Sequence, residues 1–161
     1  MVPRVGGVEP TASTLRMYGQ PTELEPLTWT EAEATLAAAE FYWVTARSAG
    51  HPHPRPVWGF WLDGAVRLSL GSPVLRKALA DDPVVTVHVG DGLEVVVVEG
   101  SVDGTDADAA SVAAYDEKYD YAYDADRYGP FTVVRPSTIL AWTATGPAGR
   151  DGFRRSGRWT F

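Results

Sequence analysis

Short aromatic and β-branched runs of strand length recur from residue 41 onward, and turn residues interrupt them at hairpin spacing. Phe41-Tyr-Trp-Val-Thr-Ala46 is aromatic and β-branched and predicts a strand. Gly50-His-Pro-His-Pro54 predicts a turn, and Arg55-Pro-Val-Trp-Gly-Phe-Trp-Leu62 a second strand. Asp63-Gly64 is a two-residue hairpin signal leading into Ala65–Leu70. Val84–Val89 and Glu94–Val102 form a further pair around Gly90-Asp91-Gly92, and the four valines Val95 to Val98 imply burial on both faces. Phe131–Arg135 and Thr138–Thr143 predict two strands broken at Pro136, and Arg158–Phe161 a terminal one.

Three segments carry the helical period instead. Thr30 with Glu33 three residues later is a capping-box pattern before an Ala-rich helix that ends near Glu40. Ser72-Pro73 predicts the N-cap and first position of a short helix, with Leu75 and Leu79 on one face and Asp81-Asp82-Pro83 as its stop. Asp106–Tyr123 predicts a third helix whose Val112, Tyr115 and Tyr119 pack on the sheet while its acids face water. Residues 1–26 lack periodicity and predict a mobile or draped arm ahead of one domain, 27–161. About seven short strands joined by hairpins, with flanking helices, specify a mainly antiparallel β-barrel.

Composition narrows the chemistry. The chain of 161 residues has no cysteine, which excludes disulfides, thiolate metal sites and cysteine nucleophiles. Its net charge of −7 argues against a general nucleic-acid or membrane-surface binder. The charge is concentrated: residues 103–126 hold eight acids and one base, so the remainder is neutral. Arg150, Arg154, Arg155 and Arg158 crowd the last fifteen residues against one acid, Asp151. No apolar run reaches 18 residues, so a cytoplasmic protein is expected. His51 and His53 read as turn residues, and His88 as a lone mid-strand histidine.

From Pro52 to Gly100 the order of motifs resembles a known family. Pro52-His-Pro-Arg-Pro-Val-Trp-Gly-Phe-Trp-Leu-Asp-Gly64, Leu79-Ala-Asp-Asp-Pro83, Val87-His88 and Val97-Val-Glu-Gly100 are similar to the pyridoxamine 5′-phosphate oxidase-like split barrels, above all their actinobacterial flavin/deazaflavin oxidoreductase branch. Tyr115-Asp-Glu-Lys-Tyr119 resembles the Tyr-x-x-Lys-Tyr of that branch's late helix, and Arg158-Trp-Thr-Phe161 its terminal strand. The likeness spans roughly residues 28–161.

The resemblance implies a split β-barrel homodimer with two sites at the subunit interface. FMN or the deazaflavin coenzyme F-420 would lie across the strand beginning at Arg55, and hydride transfer to a small substrate would follow, with the cofactor carrying the reaction. No catalytic side chain is nominated. The cofactor-binding candidates are Arg55, Pro56, Val57, Trp58, Ser69, Gly71, Ser72, Arg76, Lys77 and Arg158.

One departure divides the functional expectation. The family holds the cofactor phosphate with Ser-x-Lys-x-x-Asn or Ser-Arg-Lys at a helix start, where free N–H groups and cations meet the anion. Counted without gaps from Asp82-Pro83, the corresponding residues are Pro73, Leu75 and Ala78, and the clamp is lost. With a two-residue deletion, Arg76-Lys77 match the Arg-Lys pair and Ser72 serves from the turn. The alternative function is therefore a non-catalytic ligand-binding split barrel. A tetrapyrrole in the same cleft would draw an imidazole only from His88, His51 or His53.

Overall fold

A computed structural model describes residues 10–18 and 24–161. The strands are β1 (Thr11–Ser13), β2 (Glu25–Pro26), β3 (Tyr42–Ser48), β4 (His51–Leu62), β5 (Ala65–Ser69), β6 (Val84–Gly90), β7 (Glu94–Asp106), β8 (Phe131–Ala144) and β9 (Phe153–Thr160). The helices are α1 (Trp29–Ala38), α2 (Pro73–Asp81), α3 (Ala109–Tyr119) and α4 (Ala125–Tyr128). Strands β8-β5-β4-β3-β6-β7 are hydrogen-bonded in that order, and β7 pairs back onto β8, closing a six-stranded antiparallel barrel. β9 continues outward from β8, and β1 and β2 both pair with β9, so the described part of the N-terminal arm lies on that strand. Residues 1–9 and 19–23 of the arm lie outside the described residues.

Alternation fills the barrel. Tyr42, Val44 and Ala46 of β3 and Val85, Val87 and Val89 of β6 are buried, joined by Val96, Val98, Ile139 and Ala141. Leu36 of α1 and Leu75 of α2 complete the same core, both fully buried.

Several predicted boundaries are corrected. The first capping box is Thr28 with Glu31, not Thr30 with Glu33: Thr28 Oγ1 accepts from Glu31 N at 3.3 Å, and Glu31 Oε2 accepts from Thr28 N at 2.9 Å. Glu33 is left free to accept from Trp61 Nε1 at 2.9 Å. Residues 51–54 are strand, not turn; the chain reverses at Ala49-Gly50, both at positive φ. β8 runs unbroken through Pro136 because it carries a bulge there: Thr138 pairs with Glu99 and Pro136 with Gly100, which leaves Ser137 as the extra residue. The third helix is shorter than expected, since β7 reaches Asp106 and Asp108 supplies the N-cap.

β4 changes partners midway, and this positions the site. His51–Val57 pair only with β3, and Trp58–Leu62 only with β5. Pro52, Pro54 and Pro56 cannot donate to a ladder, so their main-chain groups face the edge away from β3. Beyond the handover, Gly59 turns its N–H and C=O toward the side β3 has vacated. Tyr119 fills that place: its hydroxyl accepts from Gly59 N at 3.1 Å, and its proton lies within reach of Gly59 O (2.6 Å) and Glu40 O (2.9 Å). A side chain at Gly59 would meet the Arg67 carbonyl at 2.7 Å, so glycine is required where β4 crosses β5.

α3 is held over this crossing by packing and charge. Tyr115 is 2% exposed and packs edge-on to Phe60 (6.2 Å) and against Phe131 (5.3 Å). Beside the helix start, Arg67 Nε donates to Asp106 Oδ2 at 2.8 Å and Ser111 Oγ donates to the same oxygen at 2.7 Å. Arg67, only 8% exposed, is a charge that alternation alone does not foresee. At the helix end Lys118 Nζ donates to the buried Tyr42 hydroxyl at 3.0 Å and has no carboxylate partner among the described residues.

Two stability measurements follow. Desolvation raises the Asp106 carboxyl, but the Asp108 N–H, Arg67 and Ser111 bonds outweigh it and leave it below the usual value. Its contribution is thus full above the ordinary aspartate range and lost as pH falls through the lowered folded value. Acid titration of chemical-denaturation midpoints should be shallower in Asp106→Asn than in wild type, and Arg67→Met should cost about 3 kcal/mol. Burial lowers Lys118 to about 8 from 10.5. Between those values the unfolded chain binds more protons, so stability rises with pH. Lys118→Met should remove that alkaline rise.

Candidate functional site

β5 ends at Ser69, and α2 begins at Pro73. The unpaired edge of β4 and the loop between these elements face each other across a cleft of about 370 Å³, within the range of small-molecule sites. Seven of the ten nominated residues line it: Arg55, Pro56, Val57, Trp58, Ser69, Gly71 and Ser72. Phe41 completes the wall, a residue the sequence marked only as strand. Trp58 is 50% and Phe41 46% exposed, which presents two aromatic rings to solvent at the cleft.

The polar inventory of the cleft is asymmetric. The β4 edge presents the Pro56 carbonyl as an acceptor and no N–H donor. The Arg55 guanidinium donates to the Pro54 carbonyl at 2.7 Å and is otherwise exposed. Ser72 caps α2, accepting from Leu75 N at 3.3 Å, and Pro73 at the first position has no N–H. The helix start therefore offers fewer free donors than an ordinary N-terminus.

The remaining candidates lie elsewhere. Leu75 and Ala78 point into the core, so the gapless register leaves no polar group from those positions. Arg76 lines a neighbouring pocket, and Lys77 pairs with Asp81 at 2.6 Å. Arg158 lies on β9, paired with Ser13 and Leu140 and separated from β4 by β8 and β5. His88 stacks on Trp43 with centroids 6.2 Å apart and planes 7° apart. His51 and His53 stand in β4, and no group of three or more metal-ligating side chains occurs among the described residues.

Trp58 leans on Tyr119 with ring centroids 6.2 Å apart. The hydroxyl that completes the β4 backbone at Gly59 thus belongs to a ring that also backs the cleft aromatic. Ser69 Oγ lies 3.4 Å from the Tyr123 hydroxyl, a second link from the cleft to the tyrosine layer.

No protein-family model and no curated protein sequence matches the chain. Solved structures do. An F-420 reductase superposes with a TM-score of 0.56 at 20% identity, over 66% of this chain and 94% of its own. A FAD-binding protein from Mesorhizobium loti does so at 0.53 and 15%, over 84% of this chain and 96% of its own. A haem-binding protein from Mycobacterium smegmatis reaches 0.60 at 21%, over 83% of this chain; the chain spans 58% of that protein. At these identities the likeness is one of fold: the chain shares the split β-barrel of these proteins.

Proposed function

We propose that the cleft between β4 and the β5–α2 loop binds FMN or coenzyme F-420, and that the protein is a cytoplasmic flavin- or deazaflavin-dependent oxidoreductase acting on a small substrate. The observation that carries this reading is the convergence of Arg55–Trp58 with Ser69, Gly71 and Ser72 on one cleft. Such a cofactor accepts or donates hydride at its ring. The protein's part is to hold the ring beside Trp58 and Phe41, to accept a ring N–H at the Pro56 carbonyl, and to neutralise anionic groups with Arg55.

Gly71 supports a close-lying ligand. Its backbone does not adopt positive φ, and an added Cβ would meet nothing within 4 Å. Neither conformation nor internal packing asks for glycine there, while a ligand pressed against the loop would.

The homodimer reading draws on the outer face of the barrel. Cross-strand partners line up as Pro56, Trp43, His88, Val97, Leu140 and Arg158. Trp43 is 41% exposed at the cleft end of this largely apolar row. A second copy seated isologously on the row would carry its Arg158 toward the first copy's cleft.

The second reading, a non-catalytic ligand-binding barrel, is favoured by the direction of the α2 side chains. Leu75 and Ala78 are core residues, and Lys77 is already paired.

Titration with FMN and separately with F-420, followed by fluorescence polarisation, separates the readings. The oxidoreductase reading expects one cofactor to bind at micromolar affinity or tighter, and Arg55→Gln to weaken it about tenfold. Failure of both cofactors at tens of micromolar would leave the non-catalytic barrel. Gly71→Ala should leave stability unchanged or raise it by about 0.4–1 kcal/mol while weakening cofactor binding. Unchanged affinity in that variant would remove the loop from the contact.

A further inference from the structure

On the far side of the Leu70–Gly71 segment lies a second pocket of about 280 Å³, between α2, the end of β7 and the start of β8. Its apolar lining includes Leu70, Leu79, Val102 and Pro130. Leu70 and Leu79 are 6% and 5% exposed, so the pocket reaches down to the barrel core. A bulge between Val102 and Thr105, with Gly104 at φ 83°, shapes the β7 wall. Thr105 and Thr132 are cross-strand partners and add hydroxyls beside Tyr128.

Arg76 is the one cation of the lining. It makes no ion pair among the described residues, and its guanidinium makes one long hydrogen bond there, Nη2 to the Gly71 carbonyl at 3.5 Å. Two acids of the segments that flank the pocket are engaged elsewhere. Asp103 pairs with Arg135 at 2.7 Å, and Asp124 accepts from the backbone N–H groups of Asp126 and Arg127. An apolar pocket with one unpaired guanidinium suits a monoanion with an apolar body. A dianion would find too few donors, and a neutral ligand would leave the charge unused.

We propose that this pocket binds a small carboxylate whose carboxyl group pairs with Arg76 and whose hydrocarbon body lies on Leu70, Leu79 and Val102. The site is distinct from the β4 cleft and stands or falls independently of it.

The test is a titration of the full chain with hexanoate, read by amide shifts, with hexan-1-ol as the uncharged probe. Saturable shifts are expected at Gly104, Thr105 and Gly129, with hexanoate binding at least tenfold tighter than hexanol. Arg76→Gln should remove that preference, and Thr132→Met, which fills the pocket, should abolish the shifts while leaving FMN and F-420 titrations as in wild type. No shifts at these amides, equal binding of hexanol, or an undiminished preference in Arg76→Gln would each overturn the proposal.

Discussion

Three prolines at alternate positions of one strand govern the architecture of the site. Pro52, Pro54 and Pro56 deny β4 every N–H on the edge away from β3. A partner strand would gain only half a ladder there, and β5 stops at Ser69 where that edge begins. This stretch of β4 keeps a free side within the closed barrel without exposing a full edge that invites intermolecular pairing. The cleft lies along this free side, so the stretch of β4 that no second strand covers also lines the candidate site.

The handover has a cost at Gly59, whose backbone loses its β3 partner. Tyr119 offsets it by supplying donor and acceptor from one hydroxyl. α3 is therefore part of the barrel's hydrogen-bond closure as well as its cover. The Arg67–Asp106–Ser111 cluster fixes the start of that helix, and Tyr115 fixes its middle between Phe60 and Phe131. Disturbing these anchors should reach the cleft through Tyr119 and Trp58, because the same ring serves both.

Much of this was legible because it rests on local rules. Asp63-Gly64 forms the expected hairpin with both residues at positive φ, and Ser72-Pro73 opens α2 as its capping pattern predicts. The errors came where pairing overrides local preference. Pro52 and Pro54 suggest a turn, yet they are compatible with a strand whose edge is unpaired; Pro136 suggests a break, yet a bulge at Ser137 beside it keeps the strand continuous. Arg67 escaped notice because its partner Asp106 is distant in sequence. Among the site candidates, those on β4 and the β5–α2 loop converge because strand register fixes them. Arg76 and Lys77 diverge because successive residues on a helix point about 100° apart, and Arg158 lies strands away within one chain.

The claim that the proline edge of β4 is the ligand-binding element is tested most directly by a crystal structure of the protein grown with whichever cofactor it binds, FMN or F-420. The account predicts the flat ring along Arg55–Trp58, against Gly71, with a ring N–H directed at the Pro56 carbonyl. A ring bound elsewhere on the barrel, or a β4 edge covered by another strand of the chain or of a second copy, would contradict it.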